Sequence, residues 1–234
     1  MFGFSSPDNR TIVYYGLNQT SVLERNSSGA APEETLITTS HSVYADDLSP
    51  DNRYLLFEQQ EDDGSTDLWL LPHLSSSADR KPVLYLKGSG GSGSSFDRGG
   101  LMNAQFSPDG KWIAYTSVES GQQEVYVQSY PRTEIRVQVS NTGGNFARWR
   151  KDGKELFYCA LDGRLMVASA RPTRNSLEFG TPSALFHIAE PTGPHLYMYD
   201  VSADAQRILT LTPESSELPA PLNVLVNWQA GLKK

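Results

Sequence analysis

A short corner sequence centred on aspartate recurs five times along this chain and constrains its fold more than any other feature. Ser-Pro-Asp-Asn-Arg stands at 6–10 and again at 49–53, Ser-Pro-Asp-Gly-Lys at 107–111, Lys-Asp-Gly-Lys at 151–154 and Ser-Ala-Asp-Ala-Gln at 202–206. The shared residues Asp8, Asp51, Asp109, Asp152 and Asp204 are separated by 43, 58, 43 and 52 positions, and a Gly/Ser tract inside the second interval accounts for most of its excess. A period of about 40 to 50 residues is the mark of blades repeated around an axis rather than of a mixed core. Each corner has the chemistry of a tight turn. Proline presets one φ, aspartate bonds its own backbone, and Gly or Asn accepts the left-handed conformation that follows.

The segments around the corners read as strands, being rich in β-branched, aromatic and aliphatic residues. Second strands follow each turn: Ile12-Val13-Tyr14-Tyr15, Tyr54-Leu55-Leu56-Phe57, Trp112-Ile113-Ala114-Tyr115, Leu156-Phe157-Tyr158 and Ile208-Leu209. Third strands are predicted at 68–71, 124–127, 164–167 and 223–226, and fourth strands at 36–38, 83–86, 135–139 and 184–187. First strands, which would line the axis, fall at 42–48, 101–106, 145–149 and 196–201. No segment holds a helical period, and short strands at regular spacing favour a propeller over a two-sheet sandwich.

The prediction is therefore an all-β protein, a β-propeller of five four-stranded blades in one domain over 1–234. The blades are placed at about 1–40, 41–87, 100–140, 144–188 and 194–234, with a flexible Gly/Ser loop over 88–99. The first and last blades are expected to be incomplete, since the first has only Phe2-Gly3-Phe4 as an innermost strand and the last stops after its third. Unpaired edges invite partners, so the ring is expected to close through its terminal strands or to pair as a homo-oligomer. A truncated or engineered propeller scaffold is a further reading of those ends and of the Gly/Ser tract.

Phe106-Ser107-Pro108-Asp109-Gly110-Lys111-Trp112-Ile113-Ala114-Tyr115 resembles the repeat of TolB-type propellers, also called WD-like repeats. More narrowly, Glu124-Val125-Tyr126-Val127, the stretch 149–158 and the ending Asn223-Val224-Leu225-Val226-Asn227-Trp228 resemble the carboxy-terminal propeller of bacterial receptor-like serine/threonine kinases. That resemblance implies a bacterial sensor-like module, extracytoplasmic if it derives from such a kinase. It implies fold more than activity, because one fold hosts many functions.

Composition removes several classes. Twenty Lys plus Arg against 27 Asp plus Glu give a charge of −7, which repels the phosphate backbone and excludes nucleic acid as a partner. No apolar run approaches the roughly 18 to 20 residues of a membrane-spanning helix, so no membrane insertion is expected. The first residues carry no basic segment or apolar stretch directing export, which leaves the compartment unassigned. Cys159 is the only cysteine and lies in an apolar strand, which makes it a buried structural thiol.

Ligands of propellers usually sit over the axis, where the loops entering the first strands meet. Candidate binding residues there are His41, Tyr44 and Asp46 of the second blade, Asn103 of the third, Asn145 and Arg148 of the fourth, and His195 and Tyr197 of the fifth. Two imidazoles, a guanidinium and several amides around one mouth would hold an anion or a sugar. The competing reading is that such side chains bridge neighbouring blades through buried water.

Other motifs carry less. The acidic run Glu61-Asp62-Asp63-Gly64-Ser65-Thr66-Asp67 is oxygen-rich but fits no complete calcium loop, so no cofactor is expected. Gly88, Gly90 and Gly93 match a phosphate-loop spacing, yet a strand follows where a helix is needed. The four histidines are too scattered for a metal motif on one element, and the G-x-S-x-G nucleophile elbow does not occur. Asp46, Asp47 and Asp200 are placed for paired carboxylate chemistry across an axis. The leading expectation is a non-catalytic ligand- or protein-binding module, without an assigned catalytic residue. The alternative is a hydrolase, metal-assisted or glycoside-cleaving, with its site at the channel mouth.

Overall fold

The computed structural model describes residues 3–29, 31–73, 80–89, 100–174, 176–188, 199–211 and 222–226. Within them the chain is all β. Strands β1 (Gly3–Ser5), β2 (Thr11–Tyr15), β3 (Ser21–Asn26) and β4 (Glu34–Thr38) make the first antiparallel sheet in that order. The second is β5 (Val43–Leu48), β6 (Tyr54–Gln60), β7 (Thr66–Pro72) and β8 (Val83–Leu86), and the third is β9 (Leu101–Phe106), β10 (Trp112–Ser117), β11 (Glu124–Ser129) and β12 (Arg136–Gln138). The fourth joins β13 (Asn145–Trp149), β14 (Glu155–Cys159) and the long β15 (Arg164–Pro172), whose far edge pairs with both β16 (Leu177–Phe179) and β17 (Ser183–His187). The fifth holds β18 (Tyr199–Val201), β19 (Arg207–Leu211) and β20 (Leu222–Val226).

The first sheet is thus four-stranded, and its shortfall reduces to an innermost strand of three residues. The fifth shows three strands among the described residues. Two elements, β3 and β16, lie beyond the strands that sequence alternation marks. Most of the Gly/Ser tract, 90–99, lies outside the described residues.

Four of the five corners close in the same way. Asp8, Asp51, Asp109 and Asp204 accept the hydroxyl proton of the serine two positions earlier, at 2.6–2.7 Å. That serine oxygen in turn accepts the N–H of the second strand's first residue, as Trp112 donates to Ser107 at 3.0 Å. At the fourth corner Arg150 replaces the serine and pairs with Asp152 and Glu155 instead. The residue after each aspartate sits at positive φ: Asn9, Asn52, Gly110, Gly153 and Ala205. The recurring sequence is therefore a recurring hydrogen-bonded turn.

The core is divided among the seams between sheets. Val13, Val22, Leu55 and Phe57 fill the first seam, and Leu56, Leu68, Ile113 and Tyr115 the second. Val125, Val127, Leu156 and Ala168 fill the third, and Phe146, Phe157, Leu165 and Ile208 the fourth. Burying each such large side chain contributes about 1.5 to 3 kcal/mol. Packing face to face brings the innermost strands together: β5 touches β1 and β9, and β9 touches β13.

Candidate functional site at the channel mouth

Four residues before the five corner aspartates stand Phe4, Asp47, Gln105, Arg148 and Asp200. All five line one cavity of about 560 Å³, together with Tyr15, Tyr44, Asp46, Asn103 and Tyr199. One repeat position, read once from each sheet, thus meets around the axis. The aim of these side chains depends on an irregularity in the innermost strands. Register slips between Ala45 and Asp47 on β5, opposite Ala114 and Thr116 on β9, and between Asn145 and Arg148 on β13. Asn103 and Phe146 occupy the slip with φ of 53°. A bulge of this kind bends a strand and re-aims the side chain that follows it.

The same ring position also joins neighbouring sheets. Asp47 Oδ2 accepts the N–H of Phe106 at 2.9 Å, and Gln105 Oε1 accepts the N–H of Trp149 at 2.9 Å. Arg148, at the equivalent place one sheet on, carries only donors and cannot accept a backbone N–H. The N–H of Val201 is met instead by Asp200 Oδ1 at 2.9 Å. Phe4 leaves the same gap for the second sheet, and Asp47 Oδ1 accepts its own neighbour's N–H at Leu48. Both Asp47 oxygens are consequently engaged by the backbone, whereas Arg148 supplies no acceptor to the inter-sheet ladder.

Three carboxyl groups of the second sheet grip the bulge of the third. Glu58 Oε1 accepts the N–H of Asn103 at 2.6 Å, Asp46 accepts the N–H of Ala104, and Asp47 that of Phe106. Glu58 is fully buried and Asp46 nearly so. Burial, then the Glu58 charge and the hydrogen bond to it, hold the Asp46 carboxyl well above the usual carboxylate range. That environment favours the protonated form of Asp46. Burial pushes Asp47 up to about 7, against the opposing pull of the Phe106 N–H, the Arg148 guanidinium and the Leu48 N–H.

Of the sequence-predicted residues, Tyr44, Asp46, Asn103 and Arg148 line the cavity. His41 and Asn145 do not. The His41 ring reaches Asp62 at 2.9 Å on the surface, and Asn145 Nδ2 donates to Gln123 at 2.8 Å. Both stand at the entry to an innermost strand, ahead of the bulge that turns side chains to the axis. His195 and Tyr197 lie outside the described residues. Phe4 and Tyr15 join the cavity without a prior signal, although a register count from the corners marks Phe4.

Carboxylates elsewhere are spent on protein donors. Asp63 accepts the N–H of Ser65 at 2.9 Å, Asp67 that of Gly88 at 2.8 Å, and the buried Glu124 that of Gly143 at 3.0 Å. No group of three or more His, Cys, Asp or Glu side chains arranged to hold a metal ion occurs among the described residues.

Comparison with solved structures places this fold among TolB-type propellers. TolB from Acinetobacter baumannii superposes with a TM-score of 0.70 at 16% identity, the match covering 97% of this chain and 51% of that one. A protein assigned as TolB from Agrobacterium tumefaciens gives 0.63 at 14% identity, covering 95% and 74%. The periplasmic gluconolactonase PpgL from Pseudomonas aeruginosa gives 0.58 at 18% identity, covering 89% and 64%. The chain spans about half the length of the Acinetobacter protein. At these identities the likeness is one of fold, and nothing in the three structures bears on the narrower resemblance to kinase propellers. No protein-family model and no curated protein matches the chain.

Proposed function

We propose that this chain is a non-catalytic recognition module that takes its ligand at the channel mouth. One observation carries the reading: a single repeat position delivers five side chains of four chemical kinds to one cavity, Phe4, Asp47, Gln105, Arg148 and Asp200. A pore serving only to pack blades has no need of that variety, and Arg148 interrupts the inter-sheet ladder that Asp47 and Gln105 build. A residue that breaks a local structural rule inside a cavity marks a functional position. The cavity volume falls within the roughly 300 to 1,000 Å³ of small-ligand sites. A ligand-observed NMR screen with a general fragment library tests it. Binding that Arg148→Gln or Asp200→Asn weakens supports the module, and a library that never engages the channel refutes it.

A second reading is a hydrolase at the same mouth. It is favoured by Asp47, whose carboxyl titrates near neutrality beside Arg148, the combination that marks acid–base sites. PpgL, named as a gluconolactonase, shares the fold. Against it stands the commitment of both Asp47 oxygens to backbone N–H groups. Turnover of lactones or nitrophenyl esters that Asp47→Asn abolishes, in a variant that still folds, would favour this reading.

A further inference from the structure

Resting on the channel-mouth reading, we propose that the ligand class is a neutral polyhydroxylated molecule of monosaccharide size, contacted through Arg148, Asp200 and Gln105. Gln105 gives its Oε1 to Trp149 and Asp200 its Oδ1 to Val201, so the cavity is left an amide NH₂ from the first and a carboxylate oxygen from the second. Arg148 adds planar guanidinium donors between them in the ring order. Donor, donor and acceptor thus stand on three adjacent sheets. A hydroxyl group both donates and accepts, and neighbouring hydroxyls on one ring satisfy such a mixed set as no single ion does.

Charge separates the candidates further. An anion drawn to Arg148 enters the field of Asp47 and Asp200, and a cation drawn to those carboxylates meets Arg148. A neutral polyol meets neither penalty and uses both signs as hydrogen-bond partners. The rest of the lining suits the other half of a sugar: Phe4, Tyr15 and Tyr44 give apolar ring surface for its C–H face. Tyr15 and Tyr44 pack edge to face with centroids 5.1 Å apart, which fixes that wall before any ligand arrives.

The test uses isothermal calorimetry and saturation-transfer NMR on the full chain with glucose, galactose and mannose, and with glucosamine and glucuronate as charged counterparts. The expected result is binding of at least one neutral hexose, weakened about tenfold or more by Arg148→Gln and by Asp200→Asn. Melting temperatures of both variants are to stay near that of the parent, and Gln105→Glu, which keeps the bond to Trp149, is to weaken the same sugar. Neutral-sugar binding indifferent to these substitutions overturns the proposal, because the sugar then sits elsewhere. Binding of glucosamine or glucuronate alone, or of non-sugar fragments alone, also overturns the polyol assignment while leaving a channel-mouth site in place. Failure of every probe and of the fragment library defeats both.

Discussion

The N–H of Trp149 donates to Gln105 Oε1 at 2.9 Å across the seam between the third and fourth sheets, and Asp47 makes the same bond to Phe106 one sheet earlier. The polar ladder around the axis is therefore encoded at one repeat position. Gln105→Leu leaves a buried backbone donor unmet and is expected to cost about 1 to 3 kcal/mol of unfolding free energy. Gln105→Glu, which retains an acceptor, should lose less. Urea titration of both variants checks the difference.

The blade period and the sheet order were legible because the corner chemistry is local: serine, proline, aspartate and a residue tolerant of positive φ at fixed offsets. What escaped was set by partners distant in sequence. Strand β3, Ser21–Asn26, has only Val22 and Leu23 as apolar residues and a charged end, and β16 exists because β15 runs nine residues and extends its far edge beyond the stretch that β17 pairs. At the site, Tyr44, Asp46, Asn103 and Arg148 were readable as residues of the innermost strands. His41 and Asn145 stand outside the cavity lining: a bulge breaks the alternation of period two, and the alternation alone says nothing of where it breaks.

Stability should fall as pH rises through the weakly acidic range. Asp47 moves from 3.8 to about 7 on folding, and Asp46 moves in the same direction, both chiefly through burial. A carboxyl raised in this way takes up a proton on folding, so its penalty is absent below the ordinary carboxylate range and complete only above about pH 7. Unfolding free energy measured at several pH values between about 5 and 6.5 is expected to decline, and Asp47→Asn should flatten the slope. A slope unchanged by that substitution would contradict the assignment.

His73 and Glu24 form a second seam contact, 3.0 Å apart and largely buried between the first two sheets. Burial opposes the imidazolium, but the Glu24 hydrogen bond and charge and the Asn52 carbonyl outweigh it and raise the His73 pKa. The His73 contribution is full below 6.5 and lost as pH climbs through the raised value. Glu24, lowered first by its bond to His73, contributes above 4.5 and loses its share as pH falls. Glu24→Gln is expected to destabilise by about 1 to 3 kcal/mol near pH 6, with a smaller effect at pH values well above the His73 titration. Thermal melts of the variant and parent across that range test it.

Cys159 is fully buried among Phe146, Phe157, Leu165 and Ile208, and burial pushes its thiol up to about 12. A thiol so placed is a poor nucleophile and poorly reached. Ellman's reagent should leave the native chain unmodified and label it fully in denaturant. Rapid native labelling would show that the fourth seam opens.

Asp47 and Arg148, 101 positions apart in the chain, meet at one mouth. Carbon-detected NMR titration of the Asp47 carboxyl, in the parent and in Arg148→Gln, measures that directly. Titration at about 7 is expected in the parent and at a higher value in the variant, since the guanidinium draws the carboxyl down. Titration near 3.8, indifferent to Arg148, would contradict it.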